Sequence, residues 1–195
     1  ITFKANVYNM GVEGQMLLGG FFAGLVGANI SVGNPFIDKF ICIVAAFICG
    51  MAFALIPAIL KVKCNVNEMV VTLMLNYGVV KVLEFLTTGV FKDKSAGYVA
   101  TPTIKDIAMF SRLGRSRITA FFIIVMIILI LMYFVMKKSK LGYEITAIGK
   151  NPEFAEACGM NVGKKIIIIM LISGALSGMA GAGWMLSDQF KYTLS

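Results

Sequence analysis

The residues best placed to meet a solute are polar side chains within or beside long apolar runs. Glu13 and Gln15 precede a short run that starts at Met16. Asn67 and Glu68 open the run Met69 to Leu86, and Thr72 and Asn76 lie inside it at i, i+4 spacing, on one helix face. Polar groups at membrane depth are costly and often mark a pathway. Uncharged donors and acceptors such as Thr72 and Asn76 would suit a neutral, hydroxyl-rich solute. The plain alternative is that they bond one helix to its neighbour. Lys81 and Glu84, i, i+3 neighbours near the far end of the same run, fit a structural role better, because lysine can snorkel to the interface.

Several chemistries are excluded. The chain has no His, which removes imidazole acid–base catalysis and most zinc sites. Cys42, Cys49, Cys64 and Cys158 form no CxxC pair and read as small buried hydrophobes rather than a disulfide framework. Gly159 to Lys165, GMNVGKK, imitates a phosphate-binding loop, but the spacing is one residue short of G-x-x-x-x-G-K-S/T and the hydroxyl that holds magnesium is missing. The chain is therefore expected to bind no nucleotide, cofactor or metal itself.

These side chains must be positioned by membrane helices. Of the 195 residues, 58% are hydrophobic and only 14% are charged, against about 25% charged in a soluble domain; the mean hydropathy is +0.85. About five segments approach the roughly 20 apolar residues a span needs: Met16 to Val32, Phe40 to Leu60, Met69 to Leu86, Ile118 to Met136 and Ile166 to Leu186. Backbone in lipid needs internal partners, so the runs must be helical and the fold class is an all-α polytopic bundle. The first run is short and glycine-rich, the size of a half-helix that starts within the membrane. The net charge of +8 sits in loops between runs, as membrane topology demands, and no basic helix with interleaved aromatics suggests nucleic acid. Lysines at 137, 138, 140, 150, 164 and 165 nearly balance the cations of loop 92–117, so charge alone leaves orientation open. Ile1 to Glu13 has no apolar core of a signal peptide, and the chain reads as one transmembrane domain, 1–195, lacking both ends.

Loop 137–165 holds a helix of its own. Asn151 is an N-cap residue, Pro152 suits the first helical position, Glu153 complements the dipole, and Gly159 suits the C′ position. These signals bracket Pro152 to Cys158, with Phe154 and Cys158 on one face and Ala155 beside them. Its apolar tip needs a partner: its own spans, headgroups or another subunit. Gly20 and Gly24, and Gly174 and Gly178, form GxxxG pairs that suit close helix packing or helices that slide along a route.

GVEGQMLLGGF (Gly11 to Phe21), IPAILKVKCNVNEMVVTLMLNY (Ile56 to Tyr77) and EITAIGKNPEFAEACGM (Glu144 to Met160) resemble, in order, three segments of the permease subunits of bacterial ABC importers for simple sugars and nucleosides. The nucleoside permeases that work with a lipoprotein binding component are the nearest in likeness. The resemblance implies a multi-pass protein of the bacterial plasma membrane, partnered by an ABC ATPase, a second permease subunit and an external substrate-binding lipoprotein. It places 137–165 in the cytoplasm and 92–117 outside. It makes Gly149, Asn151, Pro152, Glu153, Phe154, Ala155 and Gly159 part of a coupling helix that docks on the ATPase. Glu13, Gln15, Asn67, Glu68, Thr72 and Asn76 become candidates to line or brace the substrate path. Phe154 departs from the family, which usually has a small residue there, and family members are longer.

Two other classes fit less well. A gradient-driven secondary transporter would suit the short glycine-rich helix, but such carriers usually need carboxylates deep in the membrane, and the best spans have none. A membrane-embedded enzyme would need a metal cluster or a nucleophile–base pair, and the sequence offers neither.

Overall fold

A computed structural model describes residues 1–91, 101–111, 119–187 and 189. Among these, seven α-helices run in the order α1 (Val12–Asn29), α2 (Pro35–Cys64), α3 (Glu68–Thr88), α4 (Phe121–Lys138), α5 (Lys140–Lys150), α6 (Pro152–Ala157) and α7 (Val162–Ser187). Short 3-10 turns lie at Thr2–Ala5 and Asp106–Ala108. Among the described residues, four helices are long and apolar enough to cross a membrane: α2, α3, α4 and α7. The segment expected as the first span, α1, is not among them; it takes in Glu13 and Gln15 and is rich in glycine.

Helix boundaries follow local chemistry. Asn34 caps α2, its side chain accepting from Phe36 N at 3.1 Å, with Pro35 at the first helical position. The chain leaves α2 through Asn65, which takes the left-handed conformation at φ 50°. Asn67 then caps α3 by accepting from Met69 N at 3.0 Å. One turn between two long helices thus uses asparagine twice, once to stop and once to start.

The centre of the bundle is α7, which packs on α2 along one face and on α1 along another. Both seams are backbone against backbone. A Cβ on Gly178 would strike the Ala46 carbonyl and lie 3.0 Å from the Gly50 Cα, while Gly174 abuts the Ala54 side chain and the Gly50 carbonyl. On the other face Gly19 rests on the Gly178 backbone, and Gly181 on the Met16 carbonyl. Between helices already in lipid there is little hydrophobic drive, so stability comes from this close approach. Phe21, Leu83, Met185 and Leu186 fill the core beside the seam.

The elements around this triad are held differently. Residues 101–111 close one end of it: Lys105 N donates to the Gly27 carbonyl at 3.2 Å and Phe110 N to the Leu186 carbonyl at 2.9 Å. The rest of the expected loop 92–117 lies outside the described residues. At that end the Phe121 ring occupies the space a side chain at Gly183 would need. Beyond it α4 parts from α7, leaving an apolar cavity of about 460 Å³ between Val125, Ile128 and Met132 on one wall and Leu176, Met179 and Ala180 on the other. No residue of α4 is buried.

Loop 137–165, expected to carry one short helix, carries two. The unexpected one is α5, which begins one residue after α4 ends; Ser139 separates them and caps it, accepting from Gly142 N at 3.2 Å. Its buried Ile145 and Ile148 face the bundle, and Ile145 joins a cluster with Ala5, Val7, Ala58, Ile169 and Met170.

Glycines at different depths of packing should respond oppositely to the same added methyl. Gly178→Ala drives a Cβ into backbone, so we expect destabilisation at or above the roughly 1–3 kcal/mol of ordinary overpacking. Gly78→Ala meets nothing within 4 Å and should be neutral or stabilising by about 0.5–1 kcal/mol, since alanine is the better helix residue. Melting of the two variants in detergent separates these outcomes.

Candidate functional site

The anticipated polar residues gather around a stretch of non-helical backbone. Residues 6–11 run alongside the first turns of α3 and lead into α1. Tyr8 N donates to the Glu68 carboxylate at 3.4 Å, and Met10 N to the Thr72 hydroxyl at 3.1 Å. The Asn76 amide donates to the Met10 carbonyl at 2.9 Å, and its oxygen accepts from Gly14 N at 3.0 Å. Asn76 lies eight residues beyond Glu68, so this ladder climbs about 12 Å along α3. Helix α1 therefore starts within the depth spanned by α3, as a half-helix would. Irregular backbone at that depth survives only where protein satisfies it, and here the partners are supplied by one face of α3.

Thr72 and Asn76 share that face as their spacing predicts, and both are engaged by backbone. Glu68 is buried and also pairs with Lys61 Nζ at 2.8 Å, tying the start of α3 to the end of α2. Gln15 is buried at the other end of the ladder. It accepts at 3.0 Å from the amide of Asn9, which also donates to the Ser173 hydroxyl of α7 at 2.9 Å. Asn9 further accepts from Gly11 N at 3.0 Å. This hub joins α1, α7 and residues 6–11. Its members Asn9 and Ser173 were not among the sequence candidates; the only signal was an asparagine just before a helix that starts at a glycine.

Two candidates stand apart from the hub. Asn67 is exposed and spent as a cap. Glu13 is exposed in the first turn of α1 and faces a groove of about 240 Å³ walled by Leu17, Leu73, Asn76, Tyr77 and Val80. A carboxylate with one amide and one phenol in an otherwise apolar groove can accept hydrogen bonds from a polar solute while the walls cover its apolar face. Lys81 and Glu84 pair with each other at 2.8 Å on the exposed side of α3.

The short helix α6 forms as its capping signals predict. Asn151 accepts from Phe154 N at 2.9 Å, and Pro152 and Glu153 fill the first turn. At the other end Gly159, at φ 79°, donates from its N–H to the Glu156 carbonyl at 2.8 Å, and Met160 N donates to Ala155 O at 3.1 Å. That pair of bonds is a Schellman stop. Ala155 is fully buried against the chain, whereas Phe154 is 65% exposed; Glu153 is exposed as well. Of the four cysteines expected to be buried, Cys158 and Cys64 are exposed because they stand at helix ends, while Cys42 is buried. Gly149 does not share this outer surface. It ends α5 against the Lys4 carbonyl, with no room for a side chain.

Removing the acceptor that Met10 uses should be costly. Thr72→Val keeps the shape and leaves the Met10 N–H unpaired, so we expect a loss of about 1–3 kcal/mol. Thr72→Ser retains the hydroxyl and should melt close to wild type; equal melting of all three forms would remove the ladder's contribution.

Among curated proteins, the chain is 32% identical over 189 residues to the guanosine ABC transporter permease protein NupP of Bacillus subtilis, covering 93% of this chain and 53% of that one. It is 27% identical to the glucose ABC transporter permease protein TsgB13 of Haloferax volcanii, over 98% of this chain and 53% of the relative. It is 28% identical to the nucleoside ABC transporter permease protein NupB of Lactococcus lactis, over 93% and 52%. The chain thus spans about half the length of the curated relatives it matches. No solved structure matches it. The family model for the permease component of branched-chain amino acid transport systems matches residues 1–192. With that match and its multi-pass set of apolar helices, the chain belongs to this family of transport-system permeases.

Proposed function

We propose that the full-length protein is the membrane subunit of an ATP-driven importer for nucleosides or simple sugars in the bacterial plasma membrane. The observation that carries this is α6: a helix closed at both ends by its own caps, anchored by buried Ala155 and presenting Phe154 outward. A short helix so fixed is a rigid knob on the bundle, and an exposed aromatic at its tip suits a socket on another protein. The family match supports an ABC ATPase as that protein, and the reading puts α5 and α6 on the same, cytoplasmic side as that ATPase. In this reading ATP binds to that ATPase and not to this chain.

The remaining partners follow from the same assignment. A second permease subunit completes the pathway, and an external binding lipoprotein delivers solute on the side of residues 101–111. The relatives named for guanosine, nucleosides and glucose support a neutral, hydroxyl-bearing solute. The Glu13 groove, with Asn76 and Tyr77, is the surface on this chain suited to meet it, while Gln15, Glu68 and Thr72 brace that surface from behind.

Capture of the ATPase by the full-length protein in nanodiscs tests the docking role. Wild type should retain the ATPase, and replacing 151–159 by a Gly/Ser linker should abolish capture. Phe154→Asp should weaken it by about tenfold or more, the size of a central interface residue. Equal capture by all three proteins would move the docking site elsewhere.

A further inference from the structure

Residues 1–11 touch more elements of the bundle than their length requires. The turn Thr2–Ala5 packs on α5, and Ala5 and Val7 share a buried cluster with Ile145. The contact is tightest at Gly149, whose Cβ would strike the Lys4 carbonyl and lie 3.1 Å from the Ala5 Cα. From there the chain turns at Asn6, in the left-handed conformation. It then climbs α3 through Tyr8 and Met10 and ends in the hub of Asn9, Gln15 and Ser173. One segment is thus packed on α5 and α7 at its start, bonded to α3 in its middle and joined to α1 and α7 at its end.

We propose that residues 2–11 are a strap that transmits displacement of α6 and α5 to the start of α1, with Gly149 and Asn9 as its positioning residues. The proposal rests on α6 being the docking element. Energetic coupling over such distances is carried by contiguous packing and hydrogen bonds, and both are present here without a gap. The backbone contact at Gly149 leaves no slack, so α5 cannot tilt toward the bundle without moving Lys4. The hub then converts that movement into a change at the first turn of α1, where Glu13 faces its groove. Parallel links exist: Lys165 Nζ lies 2.5 Å from Glu144 Oε2, joining α5 directly to the start of α7, and the turn Thr2–Ala5 itself packs on α7. These links bypass Asn9, so disabling the hub separates the route through residues 6–11 from them.

The test uses the full-length transporter with its ATPase and binding protein in nanodiscs, measuring solute moved per ATP hydrolysed. Gly149→Ala strains the strap at its base, and Asn9→Leu removes the hub bonds while keeping side-chain size. Both should still capture the ATPase, while solute moved per ATP falls by roughly tenfold, within the range of site–site coupling. Gly78→Ala serves as the control. Capture with an unchanged transport ratio in either variant overturns the strap, leaving the docking role of α6 intact. Loss of capture in the 151–159 linker variant confirms that docking role separately, and failure of wild type to capture the ATPase refutes both. Should either variant fail to assemble, hydrogen exchange of the wild-type complex decides. A non-hydrolysable ATP analogue should change protection of residues 2–11 together with 140–150. A change confined to 140–157 overturns the proposal.

Discussion

Everything in this molecule hangs on the approach of α7 to two other backbones at once. Gly174 and Gly178 meet α2 at Gly50, Ala46 and Ala54, while Gly178 and Gly181 meet α1 at Gly19 and Met16. Lipid tails compete for apolar surface as well as leucine does, so burying more leucines would not bind these helices. Removing side chains does, because it lets main-chain atoms reach contact distance along the stretch 174–181. It also fixes register: moving α7 by one residue along α2 would bring Ser173 or Ala175 to the place of Gly174, where only glycine has room. The glycine pairs therefore act here as a clasp, and α1, α2 and α7 form one unit.

A second constraint follows from the first. Since α1 is clasped high on α7 and begins at Val12, the backbone that leads to it must cross part of the membrane depth without helical bonds. Such backbone needs polar partners, and α3 supplies them from Glu68, Thr72 and Asn76. This accounts for the polar residues in the first turns of α3, a helix that is otherwise little buried. It also explains why Glu13 remains outward: the inner side of the same turn is taken by Gln15 and the hub. Bracing and lining are thus assigned to opposite faces of one helical turn.

What the sequence disclosed, it disclosed through local rules. The ends of α6 could be read from Asn151, Pro152 and Gly159 because capping depends on neighbours within a turn. The face shared by Thr72 and Asn76 was equally plain from spacing. Their partners were not, since Met10 and Gly14 lie some 62 residues away or more in the chain and nothing in a single sequence pairs such positions. Asn9 and Ser173 escaped for the same reason. The loss of α5 to a presumed loop has a different cause. Leu141, Ile145 and Ile148 repeat at helical spacing, but Gly142, Gly149 and the flanking lysines carry the appearance of a connection. Those glycines are explained by close approach, Gly142 to the Met136 carbonyl and Gly149 to the Lys4 carbonyl.

The distribution of packing bears on where movement can occur. Close-packed units are bistable rather than continuously deformable, so a conformational change must use boundaries between them. The clasp of α1, α2 and α7 is not such a boundary, because its contacts are backbone on backbone. The α4–α7 boundary is: it is pinned by Phe121 at one end, opens into a cavity along its middle, and is bent back at Ser139 into α5. Helix α4 leads through Ser139 into α5, which packs on the bundle, and on to α6, which is exposed apart from Ala155. A force applied at α6 therefore meets little resistance from α4 and a great deal from the turn at Lys4, and it is the stiff contact, not the loose one, that can carry work to the interior.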